Sequence, residues 1–260
     1  MRNIWTIARK EFNSYFRSPI AYVVLAAFAV IFGYFFYFGY LSRFVEANLT
    51  AAQYAQMYGQ MIHLNVNEMV IRPLMFLIGT ICLFLVPMIT MRLFAEEKKT
   101  GTIELLMTSP ITDLQMILGK FLGAFLLYLS LLLITALYLL TLFRYGNPDW
   151  RPVLTGYLGL LLLGGCYLSL GMFLSTLTRN QFVAAFLTFV PLLLLWVIGL
   201  GSEYSTSIAG QVASYLSITG HMENFSKGVI DLKDTVYYLT VIGFGLFLTA
   251  RSLESVRWRA

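Results

Sequence analysis

Glu96 and Glu97 stand side by side in Phe94-Ala-Glu-Glu-Lys-Lys-Thr-Gly-Thr-Ile-Glu-Leu-Leu-Met-Thr-Ser-Pro110, the most concentrated run of ionisable side chains in the sequence. Paired carboxylates can exchange protons in catalysis. A glutamate-based membrane protease would join such a pair to an arginine at position 101, where this chain has Gly101. The two histidines, His63 and His221, fall in different loops, so no Ser/His dyad forms within an apolar segment. Cys82 and Cys166 lie inside apolar windows and read as small packing residues. No Cys/His cluster has metal-ligand spacing. His221 and Glu223 read as a hydrogen-bonded loop pair, too few ligands for a metal. Gly119-Lys120 does not complete a phosphate-binding loop, because position 114 is Leu and position 121 is Phe. The expectation is a chain with no catalytic residue, no metal and no nucleotide of its own.

These residues hang on apolar segments. Six windows free of Asp, Glu, Lys, Arg and His cover Ser18–Ser42, Pro73–Met91, Phe121–Phe143, Pro152–Thr178, Asn180–Ser202 and Thr235–Ala250. A hydrocarbon core about 30 Å thick needs roughly 20 helical residues. The last window is short, and it reaches by borrowing Leu232 and leaving Asp234 and Arg251 at the headgroups. Charged residues make up 12% of the chain, against about 25% in soluble domains. The predicted fold is all-α and polytopic: six transmembrane helices in one membrane domain spanning residues 1–260. The net charge of +5 flanks the windows instead of forming a stripe, which argues against nucleic acid as a partner.

Twelve of the eighteen Lys and Arg residues belong to the termini and the loops after the second and fourth windows; six fall in the alternate loops. The positive-inside rule then places both termini in the cytoplasm. The window interiors hold no acid, base or imidazole. Secondary transporters place ion or proton sites there, so energy supplied from outside the membrane is the simpler expectation.

Three polar segments stand out. In residues 1–17, Ile4, Trp5, Ala8, Phe12, Tyr15 and Phe16 share one helical face, and Arg9, Lys10, Asn13 and Arg17 share the other. That pattern predicts a helix in the membrane interface, its cations near lipid headgroups, with a break at Ser18-Pro19. In residues 95–111 a helix continues from the second window to Gly101, and Thr102 begins a short helix carrying Ile103, Leu106 and Met107. Its apolar side chains need a cover. Thr112 and Gln115 form a capping box for the third span. In residues 203–233, Ile208, Val212 and Leu216 repeat at helical spacing, and His221–Asp231 mixes apolar and polar groups as outer re-entrant or interfacial helices do.

Glu96-Glu97-Lys-Lys-Thr-Gly101-Thr102-Ile103-Glu104-Leu105-Leu106, with Ser109-Pro110 after it, resembles the cytoplasmic signature of ABC-2 type transporter permeases. The resemblance extends to Ala8–Phe12 (Ala-Arg-Lys-Glu-Phe), the order of spans and His221-Met222-Glu223-Asn224-Phe225. It is nearest to the gliding-motility-associated permeases. The resemblance implies a six-span subunit of an ATP-binding-cassette exporter in the bacterial inner membrane. Its partners would be two copies of a separate ATPase that binds ATP and Mg, a second permease subunit, identical or related, and membrane lipid. Gly101–Met107 would be the coupling helix seated on the ATPase, with Glu96 and Glu97 beside it. Trp5, Arg9, Lys10, Phe12 and Phe16 would belong to the interfacial helix. His221, Glu223, Asn224 and Phe225 would belong to an outer gate segment. An assembly that transmits force across the membrane without moving a solute is the alternative the same lineage allows.

Overall fold

The computed structural model describes residues 2–59, 64–103, 111–146, 148–202 and 207–257, and every regular element among them is helical. Six helices are long and apolar enough to cross a membrane: Ala21–Tyr58, Asn67–Thr100, Asp113–Tyr145, Trp150–Ser175, Gln181–Gly199 and Leu232–Ser255. Each overlaps one of the apolar windows. The chain is an all-α polytopic membrane protein.

In chain order, α1 (Arg2–Arg17) precedes α2 (Pro19–Tyr34), a π-helical stretch (Phe35–Leu41) and α3 (Ser42–Tyr58). A second π-turn (Asn67–Ile71) opens α4 (Arg72–Thr90), followed by α5 (Ala95–Thr100), α6 (Asp113–Tyr145) and α7 (Trp150–Ser175). Then come α8 (Gln181–Ser202), α9 (Ile208–Leu216), α10 (Met222–Ser226) and α11 (Leu232–Arg257).

The first apolar window predicts a span ending near Ser42, and the helix does not stop there. From Ala21 to Tyr58 it runs 38 residues without a break, about 57 Å at ~1.5 Å per residue. Ser42–Tyr58 contains no Pro or Gly and holds Ala47, Ala51, Ala52 and Ala55, so nothing ends it until Gly59 takes a left-handed φ of 70° as its C-cap. The aromatic run around residue 35 divides in two. Phe28, Phe32 and Phe36 point into the core, while Tyr34, Phe35, Tyr37 and Phe38 stay exposed, a belt on one side only.

The centre of the bundle is α4 against α7. About two thirds of each of their spans is buried, against 39% or less for the others. Close approach is set by small residues on α7: a Cβ on Gly164 would sit 2.2 Å from the Tyr128 ring of α6, and the Tyr128 hydroxyl donates to the Leu160 carbonyl at 2.6 Å. One buried apolar cluster extends from Tyr15 to Leu253. α6, α8 and α11 pack around the central pair and α2 lies against α6, leaving the outer faces of α2, α8 and α11 largely uncovered.

Candidate functional site

At one end of the bundle, α4 gives way to a turn at Met91–Phe94 and then to α5. The turn leaves carbonyls that helix geometry would have satisfied, and side chains from elsewhere meet them. The Tyr15 hydroxyl of α1 donates to the Ile89 carbonyl at 2.9 Å, and the Lys120 ammonium of α6 donates to the Leu93 carbonyl at 2.7 Å. Lys120 also reaches the Glu97 carboxylate of α5 at 2.8 Å and the Glu11 carboxylate of α1 at 3.3 Å. Only 3% of its side chain is exposed. A buried ammonium needs acceptors for its three hydrogens, and here three chain segments supply them.

The other motif residues divide between internal ties and open positions. Glu96 pairs with Arg92 one turn back at 2.9 Å, so Glu96 and Glu97 both have partners within the chain. Lys98 donates to the Thr176 carbonyl at the end of α7, and the Thr176 hydroxyl bonds Ser252 of α11 at 2.7 Å. Gly101 closes α5 with a φ of 74°, which a side chain would strain. Helical backbone resumes at Thr102 and Ile103. Ile103 joins the main core at 6% exposure, so its own chain covers it. Glu104, Leu105, Leu106 and Met107 lie outside the described residues.

The expected amphipathic helix is present as α1. Arg9, Lys10, Asn13 and Arg17 are exposed, Trp5 is 59% exposed, and Phe12 and Phe16 are half-buried with their rings 5.0 Å apart. The inward strip is rotated from the aromatic face toward Ile7, Ala8, Glu11 and Tyr15. It lies on Gly119 and Gly123 of α6, where an added Cβ would come within 2.6 Å of Ile7 and of Glu11. Thr112 caps α6 by accepting from the Gln115 N–H at 3.3 Å. The Gln115 amide oxygen accepts instead from Asn3 at 3.3 Å, so half of the expected capping box is used to hold α1.

At the opposite end, α9 and α10 form the two short helices expected in residues 203–233. Ser207 caps α9 by accepting from the Gly210 N–H at 3.1 Å. Ile208, Val212 and Leu216 do repeat along α9, but all three are exposed. The pairing of His221 is a correction. Glu223, two residues away, points off the other side, because neighbours at that spacing do not share a helical face. It pairs with Arg72 at 2.9 Å and Lys227 at 2.7 Å. Those cations, the Lys227 hydrogen bond foremost, hold its carboxyl below the usual range. His221 instead meets Asp234 of α11, Nδ1 to Oδ1 at 2.7 Å, and Asn224 donates to the second oxygen of Asp234 at 2.8 Å. Asp234 is 4% exposed. It faces protein, not headgroups, since His221 and Asn224 are there to receive it. Phe225 is fully buried against α7, and the Thr155 hydroxyl donates to its carbonyl at 2.7 Å.

Two cavities flank the adjoining half of α4. One, of about 680 Å³, lies among α4, α8, α9, α10 and α11; the other, of about 560 Å³, is bounded by Tyr40, Glu68 and α4. Arg72, Phe76 and Thr80, each four residues from the next, line both. With Phe84 and Met88 they continue as a stripe along a helix otherwise buried nearly all round.

Lys120 and Asp234 lie outside the sequence motifs, and Glu11 stands within Ala8–Phe12 without a role assigned to it there. Glu11 offers a signal in retrospect, as a carboxylate on the Ile4–Ala8–Tyr15 strip of an amphipathic helix. Lys120, set between Gly119 and Gly123, occupies a surface shaped for close helix contact. A family model described as "ABC-2 family transporter protein" matches residues 5–250. No curated protein matches the chain.

Proposed function

The chain belongs to the ABC-2 transporter family, and from that premise we propose that it is the membrane subunit of an exporter driven by a separate ATPase chain. The observation that carries this reading is the anchoring of α5. Glu97 ties it to α1 and α6 through Lys120, and Lys98 ties it to the ends of α7 and α11 through Thr176 and Ser252. A displacement applied just beyond Gly101 therefore reaches four other helices through polar contacts. Gly101 provides the joint between α5 and the segment proposed to meet the ATPase.

In this reading the α1 end faces the cytoplasm, in accord with the excess of Lys and Arg there, and the basic face of α1 lies on anionic headgroups. Two ATPase copies, holding ATP and Mg, sit below two permease subunits. The Arg72–Met88 stripe of α4 faces the pathway, and α9 and α10 cover its exit. Glu104, Leu105 and Leu106 make the outward contact with the ATPase, since Ile103 is already covered by its own chain.

The test is co-purification with an ATP-binding-cassette protein encoded beside this chain, followed by ATP hydrolysis in lipid nanodiscs. The pair should hydrolyse ATP and the isolated membrane subunit should not. Glu104→Lys combined with Leu106→Ala should leave insertion intact and abolish recovery of the ATPase. Normal recovery and normal hydrolysis in that variant would remove the coupling assignment.

A further inference from the structure

We propose that α3 is a pairing helix, which joins the same helix of a second copy of this chain beyond the membrane. The apolar window behind it ends at Ser42, and α3 carries the chain 17 residues from there, about 25 Å at ~1.5 Å per residue. None of those residues is buried. Among the described residues, α3 has sustained contact only with the π-helical stretch it continues, and Phe44 at its foot rests on the margin of the core. A helix of this length is marginal in water unless it packs one face against something.

The sequence supplies such a face. Phe44, Ala47, Ala51, Tyr54 and Tyr58 are spaced three, four, three and four residues apart. That is the spacing of the seam by which two helices wind together. Ala47 and Ala51 allow the backbones to approach closely. Tyr54 and Tyr58 add area beyond them, with their rings stacked 6.0 Å apart and 52% and 67% exposed. Only two residues of α3 are charged, Arg43 and Glu46, and neither is in the seam.

Three observations select a second copy as the occupant. Copies of one membrane protein insert with one orientation, so their α3 helices leave the bilayer at the same height and meet parallel and in register, as a two-fold contact requires. The pairing brings no like charges together: the seam is uncharged, and Arg43, which flanks it, faces Asn48 of the second copy in the heptad pattern. The seam also stands over the α4 stripe. Tyr40, just below Phe44, shares the 560 Å³ cavity with Arg72, Phe76 and Thr80. This last point rests on the proposed function, in which two permease subunits face each other across that stripe. Two heptads are too short to associate firmly from solution. Between subunits already held together in the membrane, the contact is effectively intramolecular and closes at little further cost.

The test is a cysteine scan of the full-length chain in its own membrane, oxidised with copper phenanthroline. Cys82 and Cys166 are fully buried, so the unaltered chain serves as the uncross-linked control. Ala47→Cys, Ala51→Cys and Tyr54→Cys should each give about fivefold more disulfide-linked dimer than Glu46→Cys, Ala52→Cys or Gln53→Cys, which lie off the seam. Ala51→Glu added to Tyr54→Cys should abolish the cross-link, because two carboxylates would meet inside the seam. No dimer at any position, equal yields around the helix, or a seam adduct with the mass of a different protein overturns the inference. Recovery of the ATPase by the same chains is read separately. Recovery without the seam pattern defeats the pairing helix and leaves the proposed function standing; the seam pattern without recovery does the reverse.

Discussion

The two ends of this bundle both bury charge, with different chemistry. Near α1, an ammonium is shared by two carboxylates and a carbonyl. Near α9, an imidazole meets one carboxylate and one carbonyl. The first gathers α1, α5 and α6 on one ammonium; the second joins α9 and α11 to the residue that leads into α10. The first reaches across 109 positions of chain, whereas the second joins consecutive elements, His221 meeting Asp234 across 13.

The largest effect that would break this comparison is at Lys120. Lys120→Met keeps much of the stem's volume and strands Glu11 and Glu97 together in a buried site. Removing one partner of a buried ion cluster costs about 3–5 kcal/mol. Thermal unfolding in detergent should shift down markedly, with α1 released first, visible as early proteolytic cleavage near Arg17. If stability is unchanged, the cluster is not a structural tie. A smaller loss is expected for Gly123→Val, whose Cβ would meet Glu11 Cβ at 2.6 Å and the Ala8 carbonyl at 3.0 Å. Overpacking of this kind costs about 1–3 kcal/mol. It should weaken α1 docking while leaving the α9 end, read by hydrogen exchange, as it was.

The apolar windows were legible because a bilayer imposes a length and forbids charge, constraints that single segments satisfy alone. Gly101, the Thr112 cap and the start of α9 were legible for the same reason, being decided within a few residues. The charged pairs were not. Lys120 meets Glu11 across 109 positions, and His221 meets Asp234 across 13. Adjacency in the sequence pointed to Glu223 and was wrong. The length of the α2–α3 helix escaped for another reason: hydropathy marks where lipid ends, whereas a helix ends where backbone chemistry stops it, here at Gly59.

The smallest predicted effect sharpens the comparison by locating a tie that neither end depends on. Glu223 holds Arg72 and Lys227, but about half of its side chain is exposed. Exposed pairs contribute about 0–1 kcal/mol, so Glu223→Gln should change thermal stability by less than that at neutral pH. The sign with pH is fixed by the lowered carboxyl. A carboxyl held below its unfolded value adds stability above that value, and the contribution disappears as pH falls through the folded one. The small difference between Glu223→Gln and the parent chain should therefore persist into the ordinary carboxylate range and vanish only below it. A Glu223→Gln variant that unfolded at a markedly lower temperature would make the surface pair, and not the buried His221–Asp234 contact, the main tie at this end, and the contrast between the two ends would have to be redrawn around Arg72.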